Sequence, residues 1–318
     1  MAYPSTPVLQ TFLPTLRRVV SSFLAHVRHA RVGRPRSIHH ARVASRRIRE
    51  ILPALTADNA ADVRELRRAV RRLARALGRV RELDVMLELL HKDPAVDAWP
   101  RDMRAVVIHQ LQTDRAERLE RLSKRLSRRG VTPVGRGLRA LTREAANPSH
   151  RVALEGGIAT RRRARAGQLA DALEHAGTLY VPSALHAVRI ATKKLRYSLE
   201  WTKAVTGPVV APQISELRAA QELLGELQDL YTLQSHLRRI AALDGIDRAM
   251  VRALHSSSGR LDAALRERHA HFLKVAPRLL ALAQDLGRKT PLAWLRRRPA
   301  RVTLERGPQA TGVRQAAP

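Results

Sequence analysis

Apolar residues recur along most of the chain at spacings of three and four, the period of an amphipathic α-helix. Leu, Ala, Arg and Glu carry this pattern, and alternating runs of β-branched and aromatic residues, which are typical of strands, do not occur. We predict an all-α protein. Its predicted helices lie near residues 8–30, 38–55, 60–91, 101–129, 151–176, 183–205, 213–242 and 245–286, with a further helical piece near 134–146.

Glycine and proline residues interrupt the helical pattern and predict where the helices end. The main predicted breaks are Gly33-Arg34-Pro35, Asp93-Pro94, Trp99-Pro100, Gly130 to Pro133, Asn147-Pro148, Pro182, Gly207-Pro208, Pro212 and Gly245. The segment 291–318 has no helical period and is rich in Arg, Pro, Gly and Gln. We expect this segment to be a basic, disordered tail.

An internal repeat organises the chain. Residues 38–52 read IHHARVASRRIREIL, and residues 185–199 read LHAVRIATKKLRYSL, at an offset of 147 residues. The same offset places Leu77-Gly78 on Leu224-Gly225. Because two separate motifs share one offset, the sequence predicts duplication of a unit of about four helices. The predicted architecture is two four-helix bundles, residues 1–148 and 149–290, related by a pseudo-twofold.

Both copies of the repeat place cations on one side of a helix. At 100° per residue, His39, Arg42, Arg46 and Arg49 fall within about 80° of one another, opposite the apolar face. The second copy repeats this stripe with His186, Arg189, Lys193 and Arg196, and Arg47 and Lys194 flank the two stripes. A third stripe, on the next helix, consists of Arg64, Arg68, Arg71, Arg75 and Arg79.

A charged stripe is often only a solvated helix face. Like charges three or four residues apart nevertheless weaken a helix by a few tenths of a kcal/mol per pair. Their recurrence at matching positions in two helices favours an absent anion over a solvated face. For the third stripe, the two interpretations remain equally open.

The net charge of the chain is compatible with several kinds of anionic partner. The chain of 318 residues has 59 Lys and Arg against 28 Asp and Glu, a formal charge of +31, and 52 of the cations are Arg. Such a charge destabilises the compact state by self-repulsion and suggests a polyanionic partner, although an Arg-rich background composition also produces basic counts. Only ten residues are aromatic, which is few for a platform that stacks nucleic-acid bases.

Residue types and segments that the sequence lacks exclude several kinds of functional site and of targeting segment. No Cys is present, which excludes disulfides, thiolate metal sites and a Cys nucleophile. The N-terminal segment lacks the apolar core of a secretory signal, and no run of 18 apolar residues occurs. We therefore expect a soluble, cytoplasmic protein.

The repeated motifs resemble the CHAD family, an α-helical domain with characteristic histidines. The family's pattern of His, Arg, a basic pair and Arg matches His39, Arg42, Arg46-Arg47 and Arg49 in the first copy. In the second copy it matches His186, Arg189, Lys193-Lys194, Leu195, Arg196 and Tyr197. The Leu-Gly motifs match Leu77, Gly78, Arg81 and Asp84, and then Leu224, Gly225, Gln228 and Asp229. One departure is Glu82, which stands where the family usually has Asp.

The resemblance implies two four-helix bundles with a basic groove or pore between them that binds inorganic polyphosphate, and association with polyphosphate granules. The predicted polyphosphate-binding residues are His39, Arg42, Arg46, Arg47, Arg49, Arg71, Arg75, Arg81, His186, Arg189, Lys193, Lys194, Arg196 and Tyr197. Arg71 and Arg75 come from the third stripe, and the others match the family's motifs. Glu82, Asp84 and Asp229 are expected to orient arginine side chains.

The leading hypothesis is therefore a non-enzymatic polyphosphate-binding protein that needs no cofactor or metal. Nonspecific nucleic-acid binding is the alternative, because the net charge permits it. A polyphosphate-processing phosphohydrolase is weaker, since His26-x-x-His29, His39-His40 and His269-x-His271 lack acids in a metal-ligand spacing. The sequence does not fix an oligomeric state.

Overall fold

The computed structural model describes residues 7–55 and 61–288, and within those ranges it contains nine α-helices and no strand. The all-α prediction is confirmed. The helices are α1 (Pro7–Ala30), α2 (Pro35–Leu55), α3 (Ala61–Lys92), α4 (Arg101–Arg125), α5 (Arg128–Glu144), α6 (Arg151–Ala176), α7 (Pro182–Thr206), α8 (Ala211–Ala241) and α9 (Arg248–Gly287). The predicted tail, residues 291–318, lies outside the described residues.

Most helix ends lie at the predicted breaks. Pro35 and Pro182 are the first residues of α2 and α7, where proline loses no intrahelical hydrogen bond because the first N–H groups of a helix have no partner. Short 3₁₀ turns follow Asp93, Asn147 and Gly207. The side chains of Asp93 and Asn147 accept hydrogen bonds from backbone N–H groups of these turns and fix the chain reversals.

The break between α4 and α5 was predicted incorrectly. It lies at Leu126 and Ser127, whereas Gly130 and Pro133 lie inside α5. A Cβ atom on Gly130 would lie 2.3 Å from the carbonyl oxygen of Arg125. Glycine at this position therefore allows the first turn of α5 to approach the end of α4. Gly130 and Pro133 thus lie near the start of a helix and do not separate two helices.

Two clusters of buried apolar side chains form the interior. The first cluster includes α1, α2, the first part of α3, α5, the start of α6 and the end of α7. The second includes the rest of α3, α6 and α7 together with α8, α9 and part of α4. Helix α3 passes from the first cluster at Val80 to the second at Leu83, so each cluster draws on both predicted halves of the chain.

The helices of the second half, α6 to α9, pack in a closed cycle: α6 on α7, α7 on α8, α8 on α9 and α9 on α6. The first half contains five helices, with α5 packed on α1 and α3. Helix starts follow the repeat offset, since Pro35 corresponds to Pro182 and Arg101 to Arg248. The duplication and the boundary at residue 148 stay predictions. Over the described residues, no helix is long and apolar enough to cross a membrane.

Candidate functional site

A cavity of about 450 Å³ lies between α2, α3, α7 and α8, where the two apolar clusters meet. We call it the central cavity. The second cationic stripe faces it, and so do three residues of the first stripe, His39, Arg42 and Arg46, although the two stripes lie 147 residues apart in the sequence. The predicted site residues that line it are His39, Arg42, Arg46, Arg81, Glu82, His186, Arg189, Lys193, Arg196, Tyr197 and Asp229.

The lining carries an excess of positive charge. Seven Lys and Arg side chains line the cavity against three carboxylates, those of Glu82, Glu222 and Asp229. Arg118 on α4 pairs with Glu82 at 3.1 Å, and Arg189 lies 3.9 Å from Asp229. The cavity is thus positively charged, and two of its carboxylates face arginines, one within the lining and one on α4.

Arg42 projects from α2 onto the backbone of α3. Its Nη1 donates a long hydrogen bond of 3.5 Å to the carbonyl oxygen of Gly78. A Cβ on Gly78 would lie 3.7 Å from the guanidinium carbon, so the glycine of the first Leu-Gly motif forms the surface on which Arg42 lies. Burial and the nearby Arg46 and Arg189 lower the pKa of Arg42 to about 9, and it remains charged at neutral pH.

Lys193 lines the cavity close to three of its arginines. Burial is the largest cause that lowers its pKa from 10.5 to about 6. The positive charges of Arg189, Arg46 and Arg42 act in the same direction, and Asp229 opposes them. Lys193 is therefore mostly neutral at pH 7.5 when no anion is present.

Arg189 and Asp229 face each other beside Lys193. Burial raises the pKa of Asp229, although the charges of Arg189 and Lys193 act to lower it. The Nε atom of Arg189 is buried and has no hydrogen-bond partner among the described residues. A buried guanidinium donor without a partner is costly, which makes this atom a suitable donor to an anion.

The two stripe histidines differ in their contacts. The Nδ1 atom of His186 lies 2.5 Å from Oε1 of Gln228, which fixes the orientation of the ring. Desolvation, followed by the charge of Arg81, lowers the pKa of His39 below its usual value. Over the ranges that the structure describes, no three His, Asp or Glu side chains are grouped as ligands for a metal ion.

Arg196 is held by neighbours within the cavity wall. It donates to Glu200 and, from Nε, to Oε1 of Gln221 at 2.8 Å, and its guanidinium lies 4.4 Å from the ring centre of Tyr197. Glu200 also accepts from Nε of Arg47 at 2.7 Å. Glu200 therefore connects α7 to α2, and these contacts shape the wall between the two helices.

Several predicted site residues do not line the central cavity. Arg47 lines a separate cavity between α1, α2, α7 and α8, and Arg49 and Arg71 line another between α2, α3 and α6. Lys194 is electrostatically coupled to Arg165 of α6, and the charge of Arg75 acts on Arg49.

Asp84 also lies apart from the central cavity. It accepts from Nε of Arg115 at 2.7 Å, and Arg115 also donates to the carbonyl oxygen of Gly33. This carboxylate therefore orients an arginine of α4, which ties the turn before α2 to α3.

Five residues of α8 that line the central cavity are absent from the predicted site residues, namely Arg218, Gln221, Glu222, Gln228 and Thr232, although Gln228 belongs to the second Leu-Gly motif. The repeat offset provides a signal for one of them, because it aligns Arg218 with Arg71. Gln221 and Glu222 align with Ala74 and Arg75, and this change of chemistry conceals their position.

The chain is similar to one known protein family and to two solved structures. The family model of the CHAD domain matches residues 15–238. The fold is similar to the crystal structure of the CHAD domain from the plant Ricinus communis, with a TM-score of 0.64, 21% identity, and coverage of 86% of this chain and 92% of that chain. It is also similar to PptA from Streptomyces chartreusis, with a TM-score of 0.58, 20% identity, and coverage of 87% and 98%. A search of curated proteins found no match.

Proposed function

This chain belongs to the CHAD domain family, and from that premise we propose that it binds inorganic polyphosphate in the central cavity without catalysing a reaction. Some members of the family bind polyphosphate. The observation that carries the proposal is the convergence of two cationic stripes on one cavity with seven Lys and Arg side chains. Association with polyphosphate granules in the cytoplasm is part of the same proposal.

Arginine suits a phosphate polymer because its planar guanidinium donates two parallel hydrogen bonds to phosphate oxygens. Arg42 and Arg189 come from different halves of the chain, and both line the cavity. The unpartnered Nε of Arg189 provides a donor that no described residue satisfies. A bound phosphate chain relieves the mutual repulsion of these cations, and this relief contributes to its affinity.

The lining favours polyphosphate over single-stranded nucleic acid. Sequence-tolerant binding of nucleic acid relies on exposed aromatic rings that stack on bases. Tyr197 is the aromatic residue that lines the central cavity besides the histidines, and only 4% of its surface is exposed. Arg196 lies over its ring. Tyr197 therefore supports an arginine and offers no platform to a base.

Binding in place of hydrolysis is supported by the surroundings of the carboxylates. Metal-assisted phosphoryl transfer uses carboxylates that converge on a metal ion. Here Glu82 pairs with Arg118, and Asp229 faces Arg189. These acids orient cations, which is the role that a binding site requires.

The test removes four cations of the central cavity in the variant Arg42→Ala/Arg46→Ala/Arg189→Ala/Lys193→Ala. The matched control, Arg121→Ala/Lys124→Ala/Arg278→Ala/Arg288→Ala, removes the same charges from side chains that are 66% to 80% exposed. We expect the cavity variant to bind long-chain polyphosphate at least a hundredfold more weakly than the control. Equal affinity in the two variants refutes the assignment.

Two further measurements separate the alternatives. If duplex DNA displaces polyphosphate at equal phosphate concentration, the protein is a general polyanion binder. If the purified protein releases phosphate from polyphosphate in the presence of Mg²⁺ or Mn²⁺, it is an enzyme. We expect neither result.

A further inference from the structure

A second basic cavity, of about 330 Å³, lies between α2, α3 and α6. We call it the α3 cavity. Its lining consists of seven arginines and two apolar residues, in the order Arg49, Leu52, Pro53, Arg64, Arg67, Arg68, Arg71, Arg161 and Arg165. Three helices distant in sequence therefore bring their arginines to one concave surface.

One carboxylate holds two of these arginines. Glu50 is buried, and its Oε1 atom accepts from Nε of Arg161 at 3.0 Å and from Nε of Arg165 at 2.8 Å. The other oxygen, Oε2, accepts from Arg165 at 3.1 Å. Glu50 thereby fixes two guanidinium groups at the cavity wall and offsets one positive charge.

The charge of the α3 cavity is less balanced than that of the central cavity. Seven arginines face one paired carboxylate here, against seven Lys and Arg with three carboxylates in the central cavity. Among the side chains that the structure describes in residues 10–55 and 63–288, none forms an ion pair with Arg67, Arg68 or Arg71. Such clustering on one helix is unfavourable without an anion.

Cations also join the two cavities. Arg46 lines the central cavity and Arg49, one turn along α2, lines the α3 cavity. Desolvation is the largest cause that lowers the pKa of Arg49, followed by the charges of Arg71 and Arg46. Cations of both cavities therefore act on this side chain. On α7, Lys193 lines the central cavity while its neighbour Lys194 is coupled to Arg165 and Glu50.

We propose that the α3 cavity binds a second stretch of the same polyphosphate chain that occupies the central cavity. This inference rests on the proposed function. Arg46 and Arg49 lie one turn apart on α2 and line one cavity each, and the charge of Arg49 acts on Lys194 of α7. These cations provide the path by which a flexible anionic strand crosses from one cavity to the other. A chain that reaches both cavities gains affinity because its second stretch binds at a high effective concentration. The protein therefore distinguishes long chains from short ones.

The test uses the variant Arg67→Ala/Arg68→Ala/Arg71→Ala, in which alanine preserves the helix. The control Arg72→Ala/Arg121→Ala/Arg278→Ala removes the same charge from positions outside both cavities. Dissociation constants are measured for tripolyphosphate and long-chain polyphosphate at one salt concentration. Relative to the control, we expect the α3-cavity variant to lose at least tenfold in affinity for the long chain and less than threefold for tripolyphosphate.

The salt dependence gives an independent readout. The slope of log K against log salt concentration should become shallower by about 0.7 for each lost phosphate contact in the α3-cavity variant. If this variant and its control bind long chains equally, with equal salt slopes, the second site is refuted while the proposed function stands. If the central-cavity variant binds long chains as tightly as its own control, the proposed function itself fails.

Discussion

Lys193 gives the most specific prediction, because its charge depends on whether the central cavity holds an anion. Within the protein alone, burial and three neighbouring arginines lower its pKa to about 6. A phosphate chain would remove the repulsion and stabilise the ammonium form, so its binding raises this pKa. Polyphosphate binding at neutral pH should therefore take up a proton at Lys193. The perturbation is Lys193→Met, which keeps a flexible side chain and removes the titrating group.

The pKa sets the magnitude. At pH 7.5, a lysine with a pKa of about 6 is protonated in about 3% of molecules, and charging it costs about 2 kcal/mol. This cost falls as the pH approaches 6. The contribution of Lys193 to affinity should thus rise about tenfold per pH unit from pH 8 to pH 6, and level off below pH 6.

Isothermal titration calorimetry of polyphosphate binding between pH 5.5 and 8.5 measures this effect. The affinity of the wild type relative to Lys193→Met should be lowest at the alkaline end of this range and should rise about tenfold per pH unit as the pH falls to 6. Titration in two buffers of different ionisation enthalpy should show uptake of close to one proton at pH 7.5 by the wild type alone. His39 is present in both proteins, so its protonation at lower pH cancels in the comparison. Parallel pH profiles with equal proton uptake would refute the reasoning.

Two predictions concern stability and are checked by chemical denaturation at neutral pH. Glu50→Ala should lower the free energy of unfolding by about 3 kcal/mol, because it leaves Arg161 and Arg165 without their carboxylate partner beside further arginines. A loss below about 1 kcal/mol contradicts the buried pairing. Gly130→Ala should lower the free energy of unfolding by about 2 kcal/mol, because the new Cβ meets the carbonyl oxygen of Arg125. A gain in stability, which helix propensity alone would give, contradicts this packing.

The helical pattern was sufficient to predict the fold class and most helix positions. The spacing of apolar residues indicates which side of each helix faces the interior. Proline at a helix start, as at Pro35 and Pro182, depends only on the local backbone, so the sequence is enough to predict it. The break near Gly130 could not be placed in this way, because the role of that glycine depends on a contact between two turns that the sequence does not show.

Part of the site was also predictable. The angular position of His39, Arg42 and Arg46 on one helix follows from their spacing, and so does that of their repeats on α7. The separation of Arg49 from Arg46 into another cavity depends on where α3 and α6 cross α2. Such crossings arise from side-chain packing between distant segments, and a local pattern does not contain them.

The α3 cavity shows the same limit. Arg161 and Arg165 lie one turn apart on α6, a spacing that the sequence displays. Their convergence with Arg67 and Arg71 depends on the carboxylate of Glu50, which reaches across from α2. The sequence could therefore suggest the individual arginines, but only the packing of three helices brings them together.

The structure of the protein in complex with long-chain polyphosphate tests the central claim most directly. Phosphate oxygens should lie within hydrogen-bond distance, about 2.7–3.2 Å, of the guanidinium groups of Arg42 and Arg189 and of the ammonium group of Lys193. Both stripes should contact one chain. A polyphosphate chain bound elsewhere on the surface, with these three side chains keeping only their contacts within the protein, would contradict the account.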